Sequence, residues 1–317
     1  MHKYNKLQRK TYLCYNIKYL NKGYIIKFHT LPIEEQFKLF CEQNRPKDME
    51  QAIAYFTVFG GTDVVLDMNL PLTTLIETHI LNQYKFLRND ISKLTDGDAL
   101  LHSILSACAL SDRRTNAAFK RANVSFNEGI DCVDELCDMK LLTLETTVRL
   151  HPNQFDDENV SEKVLFVSPF LRFWFAFISP LFKGIKEGDY SEFYERFKNR
   201  EQEFSDLIFE QLCHAYIKNC FTQESIKKTK RYWDDEYELD LYAKTQSGRI
   251  VIGSCKYRDS KVSKKELTRL HEVCEDLDFT PDITVLFAKK GFSSELKSLK
   301  GEHLKLFTTK SLKALLS

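Results

Sequence analysis

No glycine in the 317 residues is followed by a lysine, so the chain carries no phosphate-binding loop of the GxxxxGK[ST] type. It has no ATP site of that kind and by itself should not hydrolyse ATP. Glycine (11) and proline (7) are scarce, which excludes a turn-rich all-β chain and fits helix-rich structure. No apolar run reaches the ~20 residues that a membrane span needs. The most apolar stretch, residues 167–182, contains Arg172 and two prolines. The first 30 residues hold no acid, but they also hold no continuous apolar segment or small-residue cleavage site, so no signal peptide is expected. The nine cysteines form no repeated CxxC, and the closest pair, Cys132 and Cys137, has no histidine cluster beside it. Zinc is therefore not expected, and reduced thiols in a cytoplasmic protein are the simple expectation.

What is present is a long, aromatic chain with a divided charge. The 24 Phe and 14 Tyr are enough to bury a core, and the length argues for two domains at ~150 residues each. The net charge of +1 hides a split. Residues 1–30 carry 7 basic and no acidic side chains, residues 31–220 carry 20 and 30, and residues 221–317 carry 19 and 15. The ends suit a polyanion and the middle does not.

Hydrophobic periodicity divides the chain into a basic lead-in (1–30), a helical region (31–95), a three-helix unit (96–150), an apolar linker (151–190) and a C-terminal domain (191–317). Helix is predicted over 33–58, broken near Pro46 and stopped at Gly60-Gly61, and again over 72–93. In the three-helix unit, helices over 98–110, 115–122 and 127–139 precede a strand at 141–144, which are the parts of a winged helix. Its third helix carries Glu128, Asp131, Asp134, Glu135 and Asp138. Phosphates would repel that face, so a protein partner is the expected contact there. A long helix is predicted over 191–220. From 230 onward the period shortens to two, giving strands at 237–242 and 249–256 around a turn at 245–248, then a helix, a strand and a helix–strand–helix tail. That order indicates an α/β domain.

Three residues in this domain suggest chemistry. Asp240 sits on one strand, Lys256 ends the next, and Glu210 lies on the long helix before them. A magnesium nuclease of the restriction-endonuclease type needs such a set: carboxylates to hold Mg²⁺ and a lysine to position or deprotonate water. Lys227, Lys228, Lys230 and Arg231 precede the first predicted strand, and Arg258, Lys261, Lys264 and Lys265 follow the second. Two basic runs around one site suggest a phosphate track, although a basic run is more often a solvated face. Trp233 is expected in the core, and Cys255 on the sheet face opposite Ser254 and Lys256.

The segments SPFLRFWFAFISP (168–180), IFEQLCHAYI (208–217), YWDDEYELDLYA (232–243) and IVIGSCKY (250–257) resemble the C-terminal part of a family of archaeal-type P-loop ATPases. These ATPases end in a restriction-endonuclease-like domain. AYFTVFGG (54–61) and the winged-helix-like unit resemble the parts just downstream of the ATPase core, and the core itself has no counterpart here. The resemblance implies an α+β (mixed) fold, with a helical N-terminal half and a C-terminal restriction-endonuclease-like α/β domain. It also implies a nuclease site at Asp240 and Lys256. One position departs: where the family has Glu in "ECK", this chain has Ser254, a poorer magnesium ligand. Glu238 or Glu236, at period two before Asp240, are expected to share its face and could replace the missing ligand. Otherwise the domain only binds. The expected function is a nucleic-acid-associated, nuclease-like protein with a degenerate, weak Mg²⁺ site. The alternative is a non-catalytic module partnering a separately encoded P-loop ATPase.

Overall fold

The computed structural model describes residues 30–110, 112–150, 160–221 and 225–317, with the side chains of residues 219, 220 and 227 also left undescribed. The basic lead-in thus lies outside the described residues except for Thr30, as do most of the loop at 152–162 and the side chain of Lys227.

Punctuating residues set the helical half. The helix predicted over 33–58 is two helices, α1 (Ile33–Asn44) and α2 (Met49–Phe59). Arg45 ends α1 in the left-handed region (φ 53°), Pro46 cannot donate to a continuing helix, and Asp48 caps α2 by accepting from the Gln51 N–H at 2.8 Å. The helix predicted over 72–93 is α3 (Leu72–Ile76), a π-helical turn (Glu77–Leu81) and α4 (Tyr84–Ser92). Next come α5 (Ala99–Ala109), α6 (Thr115–Ala122) and α7 (Phe126–Asp138), close to their predicted bounds. Asp98 caps α5 and Ser125 caps α7. β1 (Leu142–Glu145) pairs antiparallel with β2 (Lys163–Phe166), from Leu142 opposite Phe166 to Glu145 opposite Lys163. The predicted linker therefore supplies the second strand of a ribbon.

The rest of that linker is α8 (Pro169–Phe173), a π-helical turn (Trp174–Ile178) and α9 (Phe182–Glu187). Phe170, Phe173, Phe175 and Phe177 are fully buried, which is the physical reason for its aromatic density. α10 (Ser191–Cys220) follows as a 30-residue helix, about 45 Å long at 1.5 Å per residue.

The C-terminal part is a five-stranded mixed sheet: β3 (Ile226–Trp233), β4 (Glu238–Thr245), β5 (Ile250–Lys256), β6 (Ile283–Ala288) and β7 (Leu304–Thr308), in that spatial order. β3–β4 and β4–β5 are antiparallel; β5–β6 and β6–β7 are parallel. α11 (Lys264–Asp276) crosses from β5 to β6, and α12 (Ser294–Ser298) from β6 to β7. One sheet face, with Leu241, Val251, Val285 and Phe287, packs on α10 and the helical half. The other, with Tyr242, Ile252 and Leu286, packs on Leu270 and Val273 of α11. The first cluster runs from Phe37 to Leu315, so the helical half and the sheet share one core. The fold is mixed α+β.

Candidate functional site

Leu241 of β4 stands opposite Gly253 of β5, so Asp240 lies next to Ser254 in the antiparallel pair. Asp240 Oδ2 accepts from the Cys255 N–H at 2.8 Å and Lys256 Nζ at 3.2 Å, and lies 3.1 Å from the Ser254 hydroxyl. Glu266, in the first turn of α11, completes the group. Its Oε1 lies 2.7 Å from Ser254 Oγ, 3.5 Å from Lys256 Nζ and 2.7 Å from Arg269 Nη2. Asp240, Lys256 and Glu266 each keep 18% side-chain exposure, so solvent reaches the cluster. Ser254 Oγ carries one proton but touches two carboxylates. It can donate to only one at a time, and the other contact sets lone pair against lone pair. The Lys256 ammonium, 3.2 Å from Asp240 and 3.5 Å from Glu266, offsets that repulsion.

Burial alone would raise the Asp240 carboxyl; the Lys256 ammonium and the Cys255 N–H outweigh it and hold the group below its ordinary value. Burial would likewise raise Glu266, but Arg269 and Lys256 hold it down. Lys256 is opposed by burial and held above its ordinary value by Asp240 and Glu266. Two carboxylates and two cations thus share one small site in their charged forms.

Glu210 is not bonded to this group. It pairs with Arg231 of β3, which also pairs with Glu145 of β1; Glu145 in turn meets Arg113 at 2.7 Å. Burial raises the Glu210 carboxyl, Arg231 draws it back, and nearby Asp240 pushes it up again. Arg231, expected to face nucleic acid, is instead a buried strut with 3% side-chain exposure. Glu238 does not share a site with Asp240. The β3–β4 register shifts between the Lys230–Tyr242 and Tyr232–Leu239 pairs, and β4 gains a residue there. Leu239 therefore joins the α11-side cluster and Leu241 the α10-side cluster. This break in alternation undoes the shared face expected for Glu236, Glu238 and Asp240. Glu238 bonds Lys163 at 2.7 Å, and that ammonium sits 4.8 Å over the Trp233 ring. Trp233 is buried and donates its indole N–H to the Ser161 carbonyl.

Two residues that pattern reading passed over belong here. One is Glu266. The other is His214, one helical turn after Glu210 on α10. His214 Nε2 donates to the Asp240 carbonyl at 2.7 Å while Nδ1 accepts from the Thr229 hydroxyl at 3.0 Å. Burial and Arg231 lower its imidazole to about 3, so it is neutral and fixes the backbone of Asp240. The E-x-x-x-H spacing put Glu210 and His214 on one helix face, but nothing local said what that face meets.

Of the basic residues, Lys228, Arg258, Lys261, Lys264 and Lys265 are exposed, Lys230 is half-buried, and Lys264 leans on Glu295 at 3.4 Å. On α7, Glu128, Asp131, Asp134, Glu135 and Asp138 are all exposed.

Magnesium binds through one or two carboxylates and keeps several waters. Asp240 and Glu266, meeting at one hydroxyl, fit that demand. Among the described residues no three His, Cys, Asp or Glu side chains form a metal-holding group, so a closed protein cage is not built.

Residues 174–269 match a family described as archaea bacterial proteins of unknown function, DUF234. Protein VC1899 from Vibrio cholerae, a crystal structure, is a distant neighbour at 12% identity and TM-score 0.29. That alignment covers 92% of this chain and 56% of the other, so this chain spans little over half the length of that protein. Comparison with curated proteins gave no match. Among the described residues no helix is long and apolar enough to cross a membrane.

Proposed function

We propose that this chain is a nucleic-acid-associated, nuclease-like protein of the restriction-endonuclease type, with a weakened phosphodiester-cleaving centre at Asp240, Ser254, Lys256 and Glu266. The observation that carries the reading is the meeting of Asp240 and Glu266 at the Ser254 hydroxyl, with Lys256 Nζ between the two carboxylates. Asp240 and Glu266 would hold Mg²⁺, which supplies a Lewis acid and an activated water when bound. Lys256, at the carboxyl end of β5, donates toward the phosphate or its attacking water. Arg269 holds Glu266 in place at 2.7 Å, and His214 holds the Asp240 backbone. Arg258, Lys261 and Lys265, exposed just beyond β5, neutralise phosphates along the strand being held.

The weakness follows from charge. Asp240 and Glu266 are offset one for one by Lys256 and Arg269, so the resting site presents no net negative charge to a cation. A glutamate at 254 would add the missing charge. The test is Mg²⁺- and Mn²⁺-dependent cleavage of labelled single- and double-stranded DNA and RNA by the wild type, Ser254→Glu, Asp240→Asn and Lys256→Met. Ser254→Glu should raise cleavage about tenfold or more, one metal–carboxylate contact being worth at least ~1.4 kcal/mol of transition-state charge stabilisation. The other two variants should abolish it. No cleavage by the wild type or Ser254→Glu at any metal concentration would remove the catalytic reading.

A second reading is favoured by one observation. The exposed acids of α7 stand on a three-helix unit with a two-stranded ribbon, the parts of a winged helix. Such a face suits a basic protein surface, including that of a separately encoded P-loop ATPase. Charge reversal on α7 would weaken that association and leave nucleic-acid affinity unchanged.

A further inference from the structure

A second concavity lies in the helical half, apart from the centre just described. A cleft of about 670 Å³ opens between α4 and α9, inside the ~300–1,000 Å³ range of small-molecule sites. Tyr84, Lys85 and Arg88 line it from α4; Ile185 and Lys186 line it from α9, with Tyr190 just beyond. Lys85, Arg88 and Lys186 are exposed, and none is ion-paired or hydrogen-bonded to a described residue. That contrasts with the C-terminal centre, where each cation is matched by a carboxylate. Glu187 is the one carboxylate in the lining, so the cleft keeps an excess of two positive charges. Arg88 lies close enough to Tyr84 to draw its phenol down against the burial that raises it.

Its aromatic residues are held in place. The Tyr84 ring is stacked on Trp174, with centroids 5.9 Å apart and planes 7° from parallel. Tyr190 donates its hydroxyl to Asn82 Oδ1 at 2.8 Å across the cleft mouth. Asn82 follows directly on the π-helical turn Glu77–Leu81, and such turns recur where a helix is widened around a site. The amide groups of Asn82 and Asn89 add polar edges.

We propose that this cleft binds a nucleoside phosphate, with Lys85, Arg88 and Lys186 on the phosphate and the half-buried Tyr190 beside the base, over a floor in which Tyr84 is buried against Trp174. Arginine takes phosphate oxygens through two parallel N–H bonds, and lysines add point charge. An inorganic anion would use the cations and leave most of the volume empty. A base fills that volume, and any base has a π-face to offer a tyrosine.

The test uses the full chain in isothermal titration with ADP, AMP, adenosine and inorganic phosphate, with Trp174 emission as a second readout because its ring lies on Tyr84. ADP is expected to bind saturably at one site per chain and to shift Trp174 emission. Adenosine and phosphate alone should bind at least about tenfold more weakly, each having lost one half of the contacts. Arg88→Gln with Lys186→Gln replaces two exposed, unpaired side chains, so the fold persists, as circular dichroism will check; ADP affinity should fall about tenfold or more. The proposal is overturned if ADP gives no saturable binding, if the double variant binds as the wild type does, or if inorganic phosphate matches ADP.

Discussion

Arg231→Met separates a structural strut from a phosphate contact. Arg231 sits on β3 between Glu210 of α10 and Glu145 of β1, almost wholly buried. Methionine keeps much of the side-chain length and removes the charge. Glu145 keeps Arg113 at 2.7 Å, but Glu210 has no second hydrogen-bond partner among the described residues. Removing one member of a buried ion pair costs about 3–5 kcal/mol. The remaining Glu145–Arg113 contact argues for the lower end, about 3 kcal/mol. The sign with pH also follows. Burial already raises the Glu210 carboxyl, and the variant loses the guanidinium that draws it back. A raised carboxyl opposes folding when ionised, so the deficit should be largest at neutral pH. It should shrink as pH falls toward the ordinary glutamate range near ~4.3. Urea unfolding followed by circular dichroism at pH 7.5 and pH 5.5 measures both effects. Glu210→Gln with Arg231→Met should recover more than half of the loss, because no buried charge is then left alone. If the single variant stays within about 1 kcal/mol of the wild type, or the double is no more stable than the single, the strut is not where the energy lies. If Arg231→Met lowers nucleic-acid affinity and its salt slope without changing stability, Arg231 faces phosphate after all.

Other perturbations address the sheet and its centre. Asp240→Asn should flatten the acid limb of stability: the Asp240 carboxyl is held below its ordinary value, so its contribution is present above ~3.9 and lost as pH falls through the folded value. Acid unfolding curves of the two proteins that run parallel below pH ~4 would contradict this. Gly253→Ala places a Cβ 2.5 Å from Val285 Cγ2 and 2.8 Å from the Val285 carbonyl oxygen, forcing β5 from β6. It should cost about 2–3 kcal/mol, read as a lower urea midpoint. His214, lowered to about 3, should show no imidazole titration by NMR between pH 5 and pH 8; a midpoint near 6.5 would show that it is not the neutral, buried ring described.

What could be read in the sequence depended on whether the signal was local. α5, α6 and α7 were legible through the polar breaks between them, and α10 through a 3.6-residue apolar period; of these, only α5 and α7 carry side-chain caps. The break in 33–58 was visible as Pro46. The π-helical turn at 77–81 left no mark, because its residues are ordinary helix formers and only packing selects the extra residue per turn. β3 was read as a basic run, since Lys227, Lys228, Lys230 and Arg231 crowd its first six residues. It forms because its edge is covered: the Val148 N–H donates to the Arg231 carbonyl, and the Trp233 N–H to Thr147 Oγ1. The Asp240–Lys256 pair was legible because a short turn fixes two adjacent strands. Glu266 was not, since its approach to Ser254 depends on how α11 packs back on the sheet. Glu210 looks the same in sequence whether it meets a metal or an arginine, and the arginine came from a strand that went unrecognised.

That arginine also explains why the helical half and the sheet should be treated together. Hydrophobic burial is non-directional and leaves the relative orientation of two packed layers loosely specified, whereas paired, hydrogen-bonded charges fix it. Here the Arg113–Glu145–Arg231–Glu210 series runs from the three-helix unit through the ribbon and edge strand to α10. Arg114 adds a bond to the Asp234 carbonyl at 2.7 Å, and Lys163 adds Glu238. One turn beyond Glu210 on the same helix face, His214 holds the Asp240 carbonyl. Glu210, the residue first suspected of holding metal, therefore acts as the anchor at which α10 is registered against the sheet. Moving it would shift His214 and, with it, the backbone from which Asp240 reaches Ser254 and Lys256. The route from the ribbon to the candidate centre is a continuous set of directional contacts. Changes at Arg113 or Glu145, remote in sequence from Asp240, belong to the same mechanical unit.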